Sequence, residues 1–350
     1  METKVVILDE LNIDYTSLRG PGQAIRDGGL VVFPTETVYG LGADALNNEA
    51  VAKIFKAKGR PQDNPLIVHV GSREIGPYVK DVPEIATLLM NRFWPGALTL
   101  IFNKSELIPD ITCAGLDTVG IRMPSNPIAL DLIRVSNTPI AAPSANISGR
   151  PSPTDVSRCI QDLSGRVDYI IGGKRSDVGL ESTILDCTQN PPCVLRPGGV
   201  SIEDLKEIDE RIYIDPAIMT RPHESFKPKA PGMKYRHYAP KAPVKIVQLH
   251  SLASTINRIN ELTEQYEDDG IKVGIMATDE TKEQYQATSV ISLGSREDLS
   301  SVAKNLFEAL RILDDLGVDL ILSESFIEKG FGLAIMNRLR KAASYDIIDQ

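Results

Sequence analysis

The sequence has few of the residues that build metal and redox sites. It contains four cysteines and four histidines in 350 residues, with no Cys-x-x-Cys pair and no His-Glu-x-x-His motif. The cysteine spacing fits neither a zinc site nor a redox pair. We therefore expect no metal site built by the protein and four free thiols. The cysteines concerned are Cys113, Cys159, Cys187 and Cys193.

Neither a long apolar run nor a signal peptide is recognisable. No run approaches the roughly 20 apolar residues that a membrane-spanning helix needs. The first residues lead directly into an apolar strand over 5–8. These features predict a cytoplasmic protein without membrane contact. The net charge of −9 argues against binding of nucleic acid by the whole surface, although it leaves a local basic site open.

Three common site motifs are missing or poorly placed. A P-loop is excluded because Asp168 stands where its first glycine would precede Gly173-Lys174. The Gly-x-Ser-x-Gly motif of many serine hydrolases is absent. Residues 40–45 match the dinucleotide fingerprint Gly-x-Gly-x-x-Ala, but six residues separate the match from the preceding strand. Because that fingerprint requires glycine directly after the strand, a nicotinamide site is disfavoured.

The pattern of apolar residues predicts two α/β domains. Short strands and helices alternate over 1–205, which indicates one domain with a mixed sheet. A second alternation over 244–350 predicts a small, doubly wound, Rossmann-like domain with a parallel sheet. The range 206–243 between them is rich in proline and predicts a linker.

The second half of this linker has an unusual composition. Residues 221–241 contain six lysines or arginines and one acid, Glu224. Within them lies Pro231-Gly232-Met233-Lys234-Tyr235-Arg236-His237-Tyr238-Ala239-Pro240, which combines two tyrosines, a histidine and two cations. Plain spacers are instead rich in Ser, Gly and Glu. We therefore expect this segment to dock onto an anionic or planar group.

The most informative stretch is Phe33-Pro34-Thr35-Glu36-Thr37-Val38-Tyr39-Gly40-Leu41-Gly42. The apolar run over 30–33 predicts a buried strand, which ends at Pro34 because proline cannot donate to a sheet ladder. Polar residues and two glycines follow, and after them we expect a helix. Polar side chains gathered at the end of a strand predict a ligand site at the carboxyl edge of the sheet.

A basic turn supplies a candidate anion site. Lys53, Lys56, Lys58 and Arg60 fall within eight residues without an acid, at the end of a helix that we expect Gly59 to terminate. Cations at this end of a helix offset its dipole, which accounts for one or two of them. Arg60 stands in a Gly-Arg-Pro turn and is better explained as a phosphate ligand.

Polar residues also follow other predicted strands. Thr118 and Arg122 share one face of a strand by its period of two, and the arginine fork suits a carboxylate. Hydroxyls and arginines without an acid–base dyad suit the binding of a nucleotide and an amino acid, with catalysis by positioning and charge stabilisation. The further segments are Ala141-Ala142-Pro143-Ser144-Ala145-Asn146-Ile147-Ser148-Gly149, Gly179-Leu180-Glu181-Ser182-Thr183-Ile184 and Leu195-Arg196-Pro197-Gly198.

Five of these segments, in their order along the chain, resemble the YrdC-type threonylcarbamoyl-AMP synthases. The tail after Pro231–Pro240 resembles the longer, two-domain members, so that the similarity spans essentially the whole chain. The segments are Pro34-Thr35-Glu36-Thr37-Val38-Tyr39-Gly40-Leu41-Gly42, Lys58-Gly59-Arg60-Pro61 with Asn64-Pro65-Leu66, Ala142-Pro143-Ser144-Ala145-Asn146, Glu181-Ser182-Thr183 and Leu195-Arg196-Pro197-Gly198.

The resemblance implies a fold and a reaction. The fold is a YrdC-like catalytic domain with a twisted mixed sheet, followed by the linker and the Rossmann-like domain. In the reaction, L-threonine, bicarbonate and ATP, with Mg²⁺ bound to ATP, give threonylcarbamoyl-AMP and pyrophosphate. The product feeds the N6-threonylcarbamoyladenosine (t6A) modification of tRNA, for which separate threonylcarbamoyl-transfer proteins are expected as downstream partners.

The resemblance also implies roles for individual residues of this sequence. Lys58 and Arg60 would be catalytic, beside the phosphates, and Tyr238 would cover the nucleotide as part of a lid. The threonine ligands would be Thr37, His69, Arg122, Ala142 through its backbone, and Ser182. The ATP ligands would be Arg60, Asn64, Thr118, Ser144, Ser152, Arg196 and Tyr238.

Two other functions stay open on the sequence. A module that binds double-stranded RNA would use the same cations, and its RNA affinity would depend on salt without any threonine-dependent release of pyrophosphate. Carbamoyl transfer, as in hydrogenase-maturation proteins with a similar domain, would need further domains and cysteine motifs. The sequence predicts no role for the C-terminal domain.

Overall fold

The computed structural model describes residues 2–218, 228–233 and 237–349. The chain divides into two compact units, which comprise 1–148 with 152–235 and 149–151 with 236–350. Lys234, Tyr235 and Arg236, which belong to the linker segment singled out above, lie outside the described residues, and so does the range 219–227.

The first unit is built on one mixed sheet, which has eleven strands in the described part of the chain. The strands are β1 (Lys4–Ile7), β2 (Val31–Phe33), β3 (Gly40–Asp44), β4 (Ile67–His69), β5 (Leu98–Asn103), β6 (Thr118–Arg122), β7 (Ile140–Ala142), β8 (Tyr169–Gly172), β9 (Thr183–Asp186), β10 (Cys193–Arg196) and β11 (Tyr213–Ile214). Their spatial order is β1-β8-β2-β3-β7-β4-β6-β5-β9-β10-β11. Parallel pairs such as β4 with β6 and antiparallel pairs such as β2 with β3 both occur, which confirms the predicted mixed sheet.

Apolar residues cover both faces of this sheet. Along β2, Val32 belongs to one buried cluster while Val31 and Phe33 belong to another, because successive side chains of a strand point to opposite faces. Local signals set the helix ends: Asn47 caps α2 (Asn48–Lys58) at its start, and Gly59 ends it with a left-handed φ of 64°. The helices of this unit are α1 (Tyr15–Arg26), α2 (Asn48–Lys58), α3 (Glu84–Phe93), α4 (Pro127–Ser136), α5 (Val156–Leu163) and α6 (Ile202–Lys206).

The glycines of the Phe33–Gly42 stretch lie inside a strand, which the sequence did not predict. β3 pairs with β2 on one side and with β7 on the other. A Cβ atom on Gly42 would come within 2.6 Å of Ile140 Cγ2 and 2.8 Å of Phe33 Cε1, so close packing of side chains explains this glycine. The helix expected after the glycines is α2, which begins at Asn48, once β3 has ended. The dinucleotide match over 40–45 is therefore excluded, since its glycines do not open a helix.

The second unit is a parallel five-stranded sheet with helices, which confirms the predicted Rossmann-like domain. Its strands are β12 (Val244–Val247), β13 (Val273–Ala277), β14 (Ser289–Ser292), β15 (Leu320–Glu324) and β16 (Ile347–Ile348), in the spatial order β14-β13-β15-β12-β16. Its helices are α7 (Leu252–Asp268), α8 (Leu299–Leu316) and α9 (Phe331–Ala342). Among the helices of the described residues, none is both long and apolar enough to span a bilayer.

The range 206–243, which the composition predicts as a linker, also contributes to the first unit. Tyr213–Ile214 form β11, which pairs with β10 in parallel. Ala230 and Met233 are buried in an apolar cluster with Ile67 and Ile101, on one face of the sheet. The described residues before 234 therefore pack as part of the first unit.

Candidate active site

The strand order brings most of the predicted ligands onto neighbouring strands. His69 and Arg122 end the parallel strands β4 and β6 and stand opposite each other in register. Ala142 ends β7, which pairs with β4 on the other side in the antiparallel direction, so that Ala142 stands opposite Ile67 and Ile140 stands opposite His69. Ser182 directly precedes β9, and Arg196 ends the adjacent strand β10. The predicted threonine and nucleotide residues on these strands therefore belong to one contiguous part of the sheet.

Arg122 is buried at the centre of this group. Its Nε donates to the Gly96 carbonyl at 3.1 Å, its Nη1 to Thr37 Oγ1 at 2.9 Å and its Nη2 to Glu36 Oε1 at 2.6 Å. A guanidinium carries five N–H groups, so one N–H remains on each terminal nitrogen. These two donors form the kind of pair that binds a carboxylate in a bidentate way.

Glu36 belongs to this group, although the sequence did not assign it a role. Its side chain is 11% exposed and forms an ion pair with Arg122. Its second oxygen, Oε2, is buried and has no hydrogen-bond partner among the described residues. In the sequence, the one sign of a role for Glu36 was its position as an acid between two threonines in a buried stretch. Its partner, Arg122, is 86 residues away in the chain.

The loop after β2 is fixed by its own hydroxyl groups. Thr35 Oγ1 lies 2.8 Å from Thr37 Oγ1 and 2.5 Å from the Val38 carbonyl, which accepts its hydrogen bond. Both threonines are buried. The position of Thr37 is thus set from its own loop as well as by Arg122.

His69 is a neutral, buried imidazole. Burial, and then the nearby Arg122 cation, lower its pKa from 6.5 to about 3. Nδ1 lies 3.2 Å from the Ile67 carbonyl, which accepts a hydrogen bond from the ring when the proton is on Nδ1. The ring also meets Phe33 edge-on, with centroids 5.9 Å apart.

This histidine predicts that stability falls in mild acid. The unfolded chain binds a proton at His69 below pH 6.5, whereas the folded chain does so only near pH 3, so protonation favours unfolding in between. At pH 5 the expected loss is about 2 kcal/mol relative to pH 7.5. The unfolding free energy can be measured with urea at both pH values. Its loss between pH 7.5 and pH 5 should be smaller by that amount in His69→Asn, which keeps a donor for the Ile67 carbonyl. An equal pH dependence in both proteins would contradict the assignment.

Arg196 links the predicted nucleotide and threonine residues. Its Nε and Nη2 donate to the Ser182 carbonyl at 3.1 and 2.9 Å, and Nη2 also reaches Ser182 Oγ at 3.2 Å. Ser182 Oγ lies 2.7 Å from Thr99 Oγ1. Thr99 was not predicted as part of the site, because a single threonine in a buried strand gives no distinctive signal. Arg196 Nη1 also donates to the Pro231 carbonyl at 3.3 Å.

Lys58 is buried against the loop that follows β7. Its ammonium group donates to the carbonyl oxygens of Ser144 and Asn146 and lies 3.4 Å from Asn146 Oδ1. Ser144 Oγ donates to the same Oδ1 at 2.5 Å. Two predicted residues, Lys58 and Ser144, are therefore joined, and Asn146, which was quoted only as part of a motif, connects them.

Arg60 and Asn64 lie in one turn after α2. Arg60 Nη2 donates to the carbonyls of Asn64 and Pro65 at 3.3 and 3.2 Å. Asn64 is buried, and its Oδ1 has no hydrogen-bond partner in the part of the chain that the structure describes. Thr118, on β6, lines a narrow cavity together with Thr99 and with Lys229–Pro231 of the linker range.

The last two predicted ATP ligands lie away from the strand ends. Ser152 is buried, and its Oγ donates to Glu181 Oε1 at 2.6 Å, next to Ser182 in the chain. Tyr238 belongs to the second unit, where its ring stacks on Phe307 with centroids 5.1 Å apart. The described residues contain no group of three or more histidines, cysteines or acids that could hold a metal ion.

Comparison with known proteins decides the family. Residues 23–198 match the family of Sua5, YciO and YrdC proteins described as "Telomere recombination", and residues 200–344 match "Threonylcarbamoyl-AMP synthase, C-terminal domain". The threonylcarbamoyl-AMP synthase of Pyrococcus abyssi is 48% identical over 98% of this chain and 99% of its own length.

The chain belongs to the threonylcarbamoyl-AMP synthase family. Its Bacillus subtilis relative is 46% identical, over 99% of this chain and the full length of that protein. The crystal structure of P. abyssi Sua5 complexed with L-threonine superimposes with a TM-score of 0.94 at 47% identity, covering 99% of this chain and 100% of the other. The predicted resemblance and two-part fold are thereby confirmed for this member of the threonylcarbamoyl-AMP synthases.

Proposed function

We propose that this protein is a threonylcarbamoyl-AMP synthase, which converts L-threonine, bicarbonate and MgATP into threonylcarbamoyl-AMP and pyrophosphate. The observation that carries the proposal is the buried Arg122, whose contacts with Gly96, Thr37 and Glu36 leave a pair of N–H donors for a carboxylate. It stands opposite His69, and only β5 separates its strand from the β9–β10 region that holds Ser182 and the nucleotide candidate Arg196.

In the proposed mechanism the protein positions two substrates and stabilises charge. The threonine amine adds to carbon dioxide with loss of a proton, or condenses with bicarbonate with loss of water, to form a carbamate. A carbamate oxygen then attacks the α-phosphorus of ATP, the bond from that phosphorus to the bridging oxygen breaks, and pyrophosphate leaves. Lys58, Arg60 and Arg196 provide positive charge around the transferring group, so no side chain is needed as a nucleophile.

The remaining site residues have proposed binding roles. Thr37, His69, Ala142 and Ser182 hold threonine with Arg122. The buried, unpartnered Oδ1 of Asn64 suits an N–H donor such as an adenine amine, because a buried acceptor without a partner is costly. Thr118, Ser144 and Ser152 complete the nucleotide set, with Tyr238 as its cover. Mg²⁺ enters with ATP, held by phosphate oxygens and water.

The product would be used by other proteins. A mixed anhydride of a carbamate and AMP is readily hydrolysed, so we propose that it passes to separate threonylcarbamoyl-transfer proteins, which place the group on tRNA as t6A. Direct RNA binding by this chain is expected to be weak, given its net charge of −9.

The proposal predicts that pyrophosphate release depends on both small substrates. With MgATP as substrate, the purified protein should release pyrophosphate when threonine and bicarbonate are both present. Omission of either should reduce the rate to background, because the attacking carbamate cannot form. Serine in place of threonine serves as a control for specificity. Salt-dependent RNA binding without threonine-dependent pyrophosphate release would instead favour an RNA-binding module.

A further inference from the structure

Half of the Glu36 carboxylate makes no hydrogen bond within the described residues. Its Oε1 accepts from Arg122 Nη2 at 2.6 Å, whereas its Oε2 is buried and has no hydrogen-bond partner in that part of the chain. A buried carboxylate oxygen that lacks a donor costs free energy, and native proteins rarely leave one in place. In a candidate site for small substrates, the missing donor is expected to arrive with a ligand.

The chain around Glu36 is fixed by contacts within the first unit. The Glu36 carbonyl accepts from Val178 N at 2.8 Å. The next residue, Thr37, is held by Arg122 Nη1 at 2.9 Å and by the Thr35 hydroxyl at 2.8 Å. The Glu36 side chain is 11% exposed, and the terminal torsion of a glutamate rotates easily, so a small turn of the carboxylate presents Oε2 to a ligand.

The proposed carboxylate donors lie next to this carboxylate. Arg122 offers one N–H on Nη1 and one on Nη2, and Nη2 is the nitrogen that Glu36 contacts. In an α-amino acid, a single carbon separates the carboxylate from the nitrogen. A ligand whose carboxylate binds to Nη2 therefore carries its amine within reach of Glu36.

The charge balance of the site also favours a cation on the ligand. Glu36 already neutralises Arg122, so the carboxylate of a ligand would place a second anion on one guanidinium. His69 stands opposite Arg122 but adds no positive charge, because burial lowers its pKa to about 3. An uncompensated charge in a buried site is costly. An ammonium group on the same ligand removes this cost.

We propose that Glu36 binds the α-amino group of L-threonine, which donates to Oε2 while the substrate carboxylate binds to Arg122. The inference rests on the proposed function and deepens it, because it assigns a ligand to the nitrogen that becomes carboxylated. The contact involves no proton transfer and no covalent change. The ammonium group, the neutral amine and the carbamate nitrogen each carry at least one N–H that can donate to Oε2. Glu36 and Arg122 together thus select α-amino acids over carboxylic acids without an amine.

The first test measures the binding of L-threonine to Glu36→Gln by isothermal titration calorimetry. Glutamine keeps an oxygen for Arg122, but an amide NH₂ replaces Oε2 and cannot accept from the amine. The Kd for threonine should rise about 10- to 100-fold, the size expected for loss of a hydrogen bond to a charged group. Asp131→Asn is the matched control, because Asp131 is also buried and pairs with Arg134 in the same unit at 2.9 Å. It should leave the Kd unchanged.

A ligand without the amine separates direct contact from an effect through Arg122. (R)-3-Hydroxybutanoate keeps the carboxylate and the hydroxyl of threonine and has hydrogen in place of the amine. Glu36→Gln should bind it no more weakly than the unmodified protein does, as measured by ligand-observed NMR. If Glu36 only held Arg122 in place, both ligands would lose affinity by the same factor, since both carry the carboxylate.

The unmodified protein provides a further comparison, which also applies if Glu36→Gln does not fold. It should bind threonine at least about tenfold more tightly than (R)-3-hydroxybutanoate. Equal affinities for the two ligands, an unchanged Kd for threonine in Glu36→Gln, or equal losses for both ligands in that variant would overturn the inference. Normal threonine binding without threonine-dependent pyrophosphate release would instead overturn the proposed function alone.

Discussion

Replacing Arg122 with methionine should nearly abolish the use of L-threonine. The side chain would keep its apolar stem and lose the two N–H groups proposed for the carboxylate. Because removal of one partner of a buried charge contact costs several kcal/mol, the KM for threonine should rise by about 100-fold or more. Pyrophosphate release measured over a range of threonine concentrations, at saturating ATP, gives this value directly.

The same substitution should also destabilise the fold, and this effect has to be separated from binding. Glu36 would be left buried with both oxygens unpaired, which is expected to cost about 3–5 kcal/mol of unfolding free energy. In the double variant Glu36→Gln with Arg122→Met the uncompensated charge is gone, so stability should largely return. Threonine use should not return with it. Recovery of a normal KM for threonine in the double variant would show that Arg122 is only structural.

Replacing Lys58 with methionine should reduce kcat/KM for ATP by about 10²- to 10³-fold, the size expected for a preorganised charged donor. The substitution removes a buried cation and frees the carbonyls of Ser144 and Asn146. The loop that carries Ser144 would then lose its anchor beside the nucleotide. Steady-state kinetics with ATP as the varied substrate provide the measurement.

Lys104→Met is the matched control for this prediction. Lys104 lies in the same unit, is largely buried, and donates to the Ile108 carbonyl at 3.0 Å and to Asp110 at 2.9 Å. Its loss also removes an ammonium group from a carbonyl, but the side-chain contacts of Lys104 involve no predicted site residue. We expect a lower melting temperature with unchanged kcat/KM for ATP. Equal losses of activity in both variants would show that Lys58 contributes only to the general stability of the fold.

Local signals in the sequence were sufficient for many individual elements. Gly59 ends α2 in the left-handed conformation, and Asn47 caps its start, because both effects depend on neighbouring residues alone. By contrast, α1 was not predicted, since Gly20, Pro21 and Gly22 interrupt its helical pattern. Packing of Leu18 and Ile25 into the apolar cluster offsets those unfavourable residues.

The sequence indicated which residues belong to the candidate site better than it indicated which of them contact each other. The motifs named Thr37, Arg122, Ser182 and Arg196, and the structure shows direct hydrogen bonds within each of the pairs Thr37–Arg122 and Ser182–Arg196. Glu36 and Thr99 could not be assigned, because their partners are 86 and 83 residues away. The residues next to Glu36 and Thr99 in the sequence do not indicate which distant residues they contact.

By itself, the sequence determined the family, the two α/β parts and the set of polar residues at strand ends, because these follow from motifs, local period and breaking residues. The tertiary structure alone decided that Gly40–Asp44 is a strand, that Glu36 pairs with Arg122 and that 149–151 belong with the second unit. Each of these outcomes requires a partner distant in the chain. Residues that are distant in the sequence come into contact only when the chain folds. No local sequence pattern therefore predicts these contacts.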